Sequence, residues 1–406
     1  MMHRHAALLL CSISVSLVAA CGGNNHSGEA GGSSSAATGG KGITGGAPSA
    51  TGGNKTNAGG GSGGVTSSSG GSPSGGSASG GSSNATGGSG SSTVEPQSCQ
   101  GGGPGISDCG QNGESCCTSP KVPGGTFYRT YTNDGSGATN TADSATVSDF
   151  RLDKYLVTVG RFRKFVTAWD QGDGYTPGAG SGKHTHLNGG QGLADSGSPG
   201  NYEAGWLDLY SNKLSMTNDN LECQSGYFTW TRSPGANEKL PMNCVNWYEA
   251  YAFCIWDGGF LPSEAEHIYA AAGGTEQRQY PWGSDAPGTS NQYAIYGCYY
   301  PDGVGDPANC SDNSRIAKVD TAQRGAGKWG QLDLVGNLQK WLLDYFGSYV
   351  NPCTDCANLA TGSGRAPRDG NFADKDEKLL LAAYRNNGFY PENRFYSFGF
   401  RCARKP

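Results

Sequence analysis

From Gly22 to Ser98 the chain is built almost wholly of Gly, Ser, Ala, Thr and Asn, with hardly a large apolar side chain among 77 residues. Such a stretch cannot bury enough surface to offset the entropy of ordering it. It is expected to be a flexible tether, with a root-mean-square span of about 50 Å for a Gly-rich coil of this length. Whatever core the chain has must come from the remainder, Cys99 to Pro406, which is long enough for one large domain.

The chain begins MMHRHAALLLCSISVSLVAAC. A short basic start, an apolar run too short to span as a mature helix and small residues before a cut describe a secretory signal. The ending Val18-Ala19-Ala20-Cys21 resembles a bacterial lipobox, which implies that Cys21 carries a lipid anchor. No later segment approaches the roughly 20 apolar residues of a membrane helix. The expected division is 1–20 signal peptide, 21–98 tether, 99–121 a Cys-rich lead-in and 122–406 the main domain. A lipid and a tether of this reach imply an extracytoplasmic domain near a membrane. Gly22 rather than Asp after Cys21 is compatible with the outer membrane or cell surface of a Gram-negative host. Removing Arg4 from the 29 basic residues leaves 28 against 34 acidic ones, a balance of −6 with no basic stripe, so nothing suggests nucleic acid.

Of 14 cysteines, Cys11 leaves with the signal and Cys21 takes the lipid; twelve remain. In an oxidising compartment an even dozen predicts up to six disulfides. Cys99, Cys109, Cys116 and Cys117 lack paired zinc spacings and read as a small stapled knot. Cys353 and Cys356 do have C-x-x-C spacing and read as a surface-loop disulfide rather than a redox pair, because no helix start or basic neighbour is evident to activate a thiol.

Val122–Tyr131 ends in a β-prone aromatic run and predicts a first strand; Ala145–Thr158 predicts one or two more. Phe162, Phe165, Val166 and Trp169 fall at helical spacing behind a Thr158 N-cap. Residues 172–221 read as loop, and in that setting His184 and His186 are expected to be solvated rather than metal-bound. Asn246 caps a helix with Trp247, Tyr251, Cys254 and Ile255 on one face. Ser263 and Glu266 form a capping box for the next, which Gly273-Gly274 ends. Glu264 and Glu266, two apart, lie on different faces and are poorly placed as an acid/base pair.

Four stretches together resemble the formylglycine-generating enzyme (sulfatase-modifying factor) family. They are YLVTVGRFRKFV, LPMNCVNWYEAYAFCIWDGGFLPSEAEHIYAAAGGTEQRQYPWG, GQLDLVGNLQKWLLDYF and SFGFRCAR, in the family's order and spacing. The resemblance implies an α+β fold, a loop-rich and disulfide-stapled variant of the C-type lectin fold, and a disulfide between Cys254 and Cys402. Family members oxidise a sulfatase cysteine to formylglycine with copper held by two cysteines of an R-G-G-S-y-x-C-x(4)-C segment. Here that segment reads RDGNFADKDEKLLLAAYRNNG. Asp374 and Leu379 stand at the cysteine positions, and no cysteine occurs from Ala357 to Arg401. Cuprous copper wants thiolate. The family's G-N-x-w-E-W carries a calcium-binding glutamate; here Lys340 takes its place, an ammonium where calcium needs oxygen. The resemblance with these departures predicts a non-catalytic, lipid-anchored module that binds a protein or glycan, with neither copper nor calcium. The alternative is an active oxidase whose copper ligands have moved to Cys353 and Cys356. A third reading, an iron-dependent sulfoxide synthase, would have to draw on His184, His186 and His267.

Overall fold

The computed structural model describes residues 95–406 except 171–173, 307–309, 361 and 363. The expected signal peptide, the expected lipid site Cys21 and the expected tether as far as residue 94 lie outside the described residues. The elements are β1 Lys121–Val122, β2 Gly125–Asn133, β3 Ala138–Val147, β4 Phe150–Leu152, α1 Val159–Asp170, β5 Ala194–Asp195, α2 Asn218–Leu221, α3 Trp247–Trp256, α4 Glu264–Ala271, β6 Gln339–Lys340, β7 Cys353–Thr354, β8 Cys356–Ala357, β9 Phe398–Gly399 and β10 Ala403–Arg404. The fold is α+β and dominated by loops and short 3₁₀ turns.

The strand expected over 122–131 is two strands, because Pro123 has no N–H to continue a ladder. β2 and β3 form the one long hairpin, and β7 joins it parallel to β3. β4 lies between β1 and β10 in an antiparallel trio, which ties the start of the domain to its last residues.

Thr158 caps α1 by accepting the Arg161 N–H at 3.2 Å. Phe162 and Phe165 then pack on Phe253 of α3 at ring distances of 5.8 and 5.7 Å. α3 opens with a capping box between Asn246 and Glu249. It is not buried on one face only: every residue except Ile255 is buried. The helix runs through the middle of the largest core cluster, and the Cys254–Cys402 disulfide fixes it to the C-terminal strand. Its one internal carboxylate, Glu249, is held by Arg394 and by the Ser215 N–H, which satisfies a charge that would otherwise be stranded.

α4 carries the predicted capping box, with Ser263 and Glu266 exchanging bonds. Glu266 does more than cap. Its Oε2 also faces Nε2 of His184 at 3.2 Å, while Glu203 Oε2 faces Nδ1 at 3.0 Å. His184 is fully buried, so the expectation of a solvated histidine is wrong. Two carboxylates from distant parts of the chain enclose it. Burial alone would push its pKa down, but Glu203 and Glu266 more than reverse this and raise it to about 10.

The Cys-rich lead-in is docked on α1. Cys99–Cys117 and Cys109–Cys116 staple it internally. Gly105, at φ +68°, leaves no room for a side chain, since a Cβ there would fall 1.9 Å from the Glu238 carbonyl oxygen, and in α1 a Cβ on Gly160 would fall 2.4 Å from the Pro104 carbonyl oxygen. The Gly105 carbonyl takes the Thr158 hydroxyl. Arg161, fully buried, gathers these pieces. Its guanidinium lies 3.0 Å from Asp153 Oδ2 and 2.6 Å from Asp257 Oδ2, and donates to Ser98 Oγ at 2.9 Å and to the Cys116 carbonyl at 3.1 Å. Arg404, from β10, reaches the same two aspartates.

Two expected outcomes follow from these buried charges. Arg161→Met leaves Asp153 and Asp257 buried with a single cation and should cost about 3–5 kcal/mol in urea unfolding; a wild-type midpoint would contradict the assignment. His184, whose folded pKa is raised, stabilises fully below its unfolded pKa of about 6.5 and loses that contribution as pH rises towards 10. The stability difference between wild type and His184→Gln should therefore shrink by about 1.4 kcal/mol per pH unit above neutrality; a difference independent of pH would contradict the pairing.

Candidate functional site

The segment from Arg368 to Gly388 is where the sequence placed the altered cysteine positions. The fold brings both positions close to Gly370. The Gly370 N–H bonds the Leu379 carbonyl at 2.9 Å. A Cβ on Gly370 would stand 3.0 Å from Leu379 Cβ and 3.4 Å from Asp374 Oδ2. The side chains there differ in kind from a thiolate pair. Asp374 Oδ2 accepts from the Asn371 backbone N–H at 2.9 Å and from its side-chain amide at 2.7 Å. Burial raises its pKa above the usual carboxylate range. Leu379 stands in a 3₁₀ turn, Glu377–Leu380, whose Leu380 packs with Tyr280 and Tyr296. One half-buried carboxyl and one alkyl chain do not fit copper(I).

The described cysteines supply no thiolate from elsewhere. All twelve, from Cys99 to Cys402, are paired, the remaining bridges being Cys223–Cys244, Cys298–Cys310 and Cys353–Cys356. The last is a disulfide but not a surface one. Cys353 and Cys356 are both buried, because β7 and β8 run into ladders with β3 and β5 on either side. Among the described residues, the group with metal-ligand proximity is Asp108, Cys109 and Cys116, whose sulfurs are already bonded to each other.

Lys340 is wholly buried. Its ammonium donates to the Gly336 carbonyl at 2.9 Å and lies 3.6 Å from Asp369 Oδ2. Asp369 in turn faces His267 Nε2 at 2.8 Å. Asp333, also buried, accepts from the Asn337 amide at 3.2 Å through Oδ2. Burial lowers the Lys340 pKa to about 8, and Asp369 opposes that fall. The three histidines are not brought to one point. His184 faces Glu203 and Glu266, His267 faces Asp369, and His186 stacks on Phe260 at 5.6 Å.

The structure also assembles features that the sequence did not signal. Glu264 pairs with Arg385 and Arg368, and the Tyr349 ring lies between the guanidinium carbons of Arg129 and Arg385, each 4.3 Å from its centroid. Asp344 accepts the Glu264 N–H at 2.6 Å and the Asn358 N–H at 2.8 Å. Burial and then the nearby Glu264 charge raise its pKa to about 7. Glu264 and Glu266 thus serve separate clusters, as their spacing required. Beside the first of these lies a hollow of about 450 Å³ whose lining includes Tyr131, Asn133, Gln279, Leu381, Tyr384 and Arg385. Farther along, Trp282 stacks on Tyr280 at 4.9 Å and packs tilted against Tyr293 at 5.3 Å, with Arg324 4.7 Å over the Tyr293 ring. The partners of each group are more than a hundred residues apart in several cases, so only folding reveals them. The one readable hint was the Asp344 position inside the quoted WLLDYF stretch.

Comparison with known proteins gives a family match, two relatives and a solved structure. The family described as "Sulfatase-modifying factor enzyme 1-like domain" matches residues 108–406. The formylglycine-generating enzyme of Thermomonospora curvata is 26% identical over 309 residues, spanning 70% of this chain and 92% of that protein. The inactive C-alpha-formylglycine-generating enzyme 2 of Bos taurus is 30% identical over 171 residues, spanning 42% of this chain and 52% of that protein. Among solved structures, Treponema denticola variable protein 1 overlays with a TM-score of 0.44 at 17% identity, over 71% of this chain and 95% of that one. With the family match covering well over half of its length, the chain belongs to the sulfatase-modifying factor enzyme 1-like, or formylglycine-generating-enzyme, domain family.

Proposed function

We propose that this member is a non-catalytic binding module, held outside the cytoplasm by a lipid on Cys21, and that it presents the face around Gly370–Arg385 to a protein or glycan. The observation that carries the reading is the pair Asp374 and Leu379 beside Gly370. Where the family motif places its two cysteines, this chain has side chains that cannot hold copper(I). The hollow beside Tyr384 and Arg385, and the packed rings of Tyr280, Trp282 and Tyr293, give that face aromatic and hydrogen-bonding groups suited to binding. That a relative bears the name of an inactive formylglycine-generating enzyme is in keeping with it. Fold alone does not fix activity, so the reading rests on these side chains.

Formylglycine formation with relocated ligands would have to use Cys353 and Cys356. Those sulfurs are joined to each other and buried, and the reaction would first need that bridge reduced. The test is to incubate the unreduced protein with copper and a Cys-x-Pro-x-Arg peptide and weigh the peptide. The expected result is an unchanged thiol beside a positive control. Conversion to the aldehyde would overturn the non-catalytic reading and make Cys353→Ser and Cys356→Ser the next variants.

A further inference from the structure

We infer that the Lys340 ammonium is a built-in structural cation, which takes over by covalent attachment the work that a bound divalent ion would do between the loop at 333–340 and the loop at 368–371. The argument starts from unpaired oxygens. Asp369 and Asp333 are both buried, at 1% and 4% exposure, and each keeps one carboxylate oxygen, Oδ1, without a hydrogen-bond partner. Two buried carboxylates this poorly bonded need a cation between the segments that carry them. Lys340 supplies one. Its Nζ sits 2.9 Å from the Gly336 carbonyl and 3.6 Å from Asp369 Oδ2, and the Asp333 carboxylate also acts on it electrostatically.

The backbone around it is shaped for this contact. Gly336, at φ +74°, turns its carbonyl to the ammonium and could not carry a side chain, since a Cβ would fall 2.7 Å from the Ile295 carbonyl oxygen. Asn337, also at positive φ, holds the loop from the other side by bonding both the Ala317 N–H and carbonyl and the Asp333 carboxylate. Lys340 and Arg368 then exchange backbone hydrogen bonds at 3.1 and 3.2 Å, so the cation sits where the two loops are laced together. A carbonyl oxygen from one loop and a carboxylate oxygen from the other beside a single positive charge are the kind of groups that surround a hard metal ion. An ammonium already stands there, and Arg401 adds a second positive charge nearby. A calcium ion does not fit these residues: it would meet a cation at the position where the resemblance expects its carboxylate ligand.

The experiment compares thermal unfolding of the full chain in calcium and in chelator, for wild type, Lys340→Met and Lys340→Glu. The wild-type midpoint should be the same in both conditions. Lys340→Met, which strands the buried carboxylates, should lose roughly 5–10 °C in both conditions. Lys340→Glu adds a carboxylate to the oxygens of Gly336 and Asp369. It should be destabilised in chelator and regain much of the loss in millimolar calcium, since an ion that binds only the folded chain raises its stability. A wild-type midpoint that rises with calcium would overturn the inference even if neither variant folds. So would Lys340→Met melting with wild type, or Lys340→Glu ignoring calcium.

Discussion

A single guanidinium, that of Arg161, organises the way this chain closes on itself. It reaches the Cys-rich lead-in through Ser98 and Cys116, the end of β4 through Asp153 and the end of α3 through Asp257. Arg404 brings the C-terminal strand to the same aspartates. With two cations and two carboxylates in one buried group, neither sign is left uncompensated, which is the condition for such a group to be tolerated. The Cys254–Cys402 bridge joins α3 to the final strand a short way off. Loops this long would be costly to order individually; tying their ends to one charged centre and six disulfides limits what each has to contribute.

The same logic of internal compensation recurs at the positions where the family uses metal. Around Gly370, Asp374 is already bonded to Asn371, and Leu379 stands in the 3₁₀ turn whose Leu380 packs with Tyr280 and Tyr296. Between the loops at 333–340 and 368–371 an ammonium stands among oxygens. On the reading proposed above, the scaffold has kept its shape by filling both places with side chains of its own. What it offers outward is then surface: a hollow beside Arg385 and a short stack of aromatic rings. The hollow is lined by the β2–β3 hairpin and the loop at 381–385, and the rings stand in loop segments, the usual position for binding residues.

What could be read from the sequence was what is decided locally. Thr158, Asn246 and Ser263 announce their helices because a cap needs only three or four neighbouring residues. Asp374 and Leu379 were legible because the surrounding motif gave the register. His184 was misread for the opposite reason. Its partners lie 19 and 82 residues away, and a glycine-rich neighbourhood carries no trace of them. α3 looked amphipathic from its sequence but is covered on nearly all sides, because elements distant in sequence pack against it. The burial of Cys353 and Cys356 likewise depends on β3 and β5, which only the folded chain sets beside them.

The central claim is that this chain keeps the family's frame without its copper chemistry, and copper(I) binding tests it most directly. The unreduced full-length protein, titrated with copper(I) against a chromophoric competing chelator, should leave the metal with the chelator. A stoichiometric, tight copper(I) site that survives Asp374→Ala would contradict the account, because it would require thiolates that the six disulfides do not release.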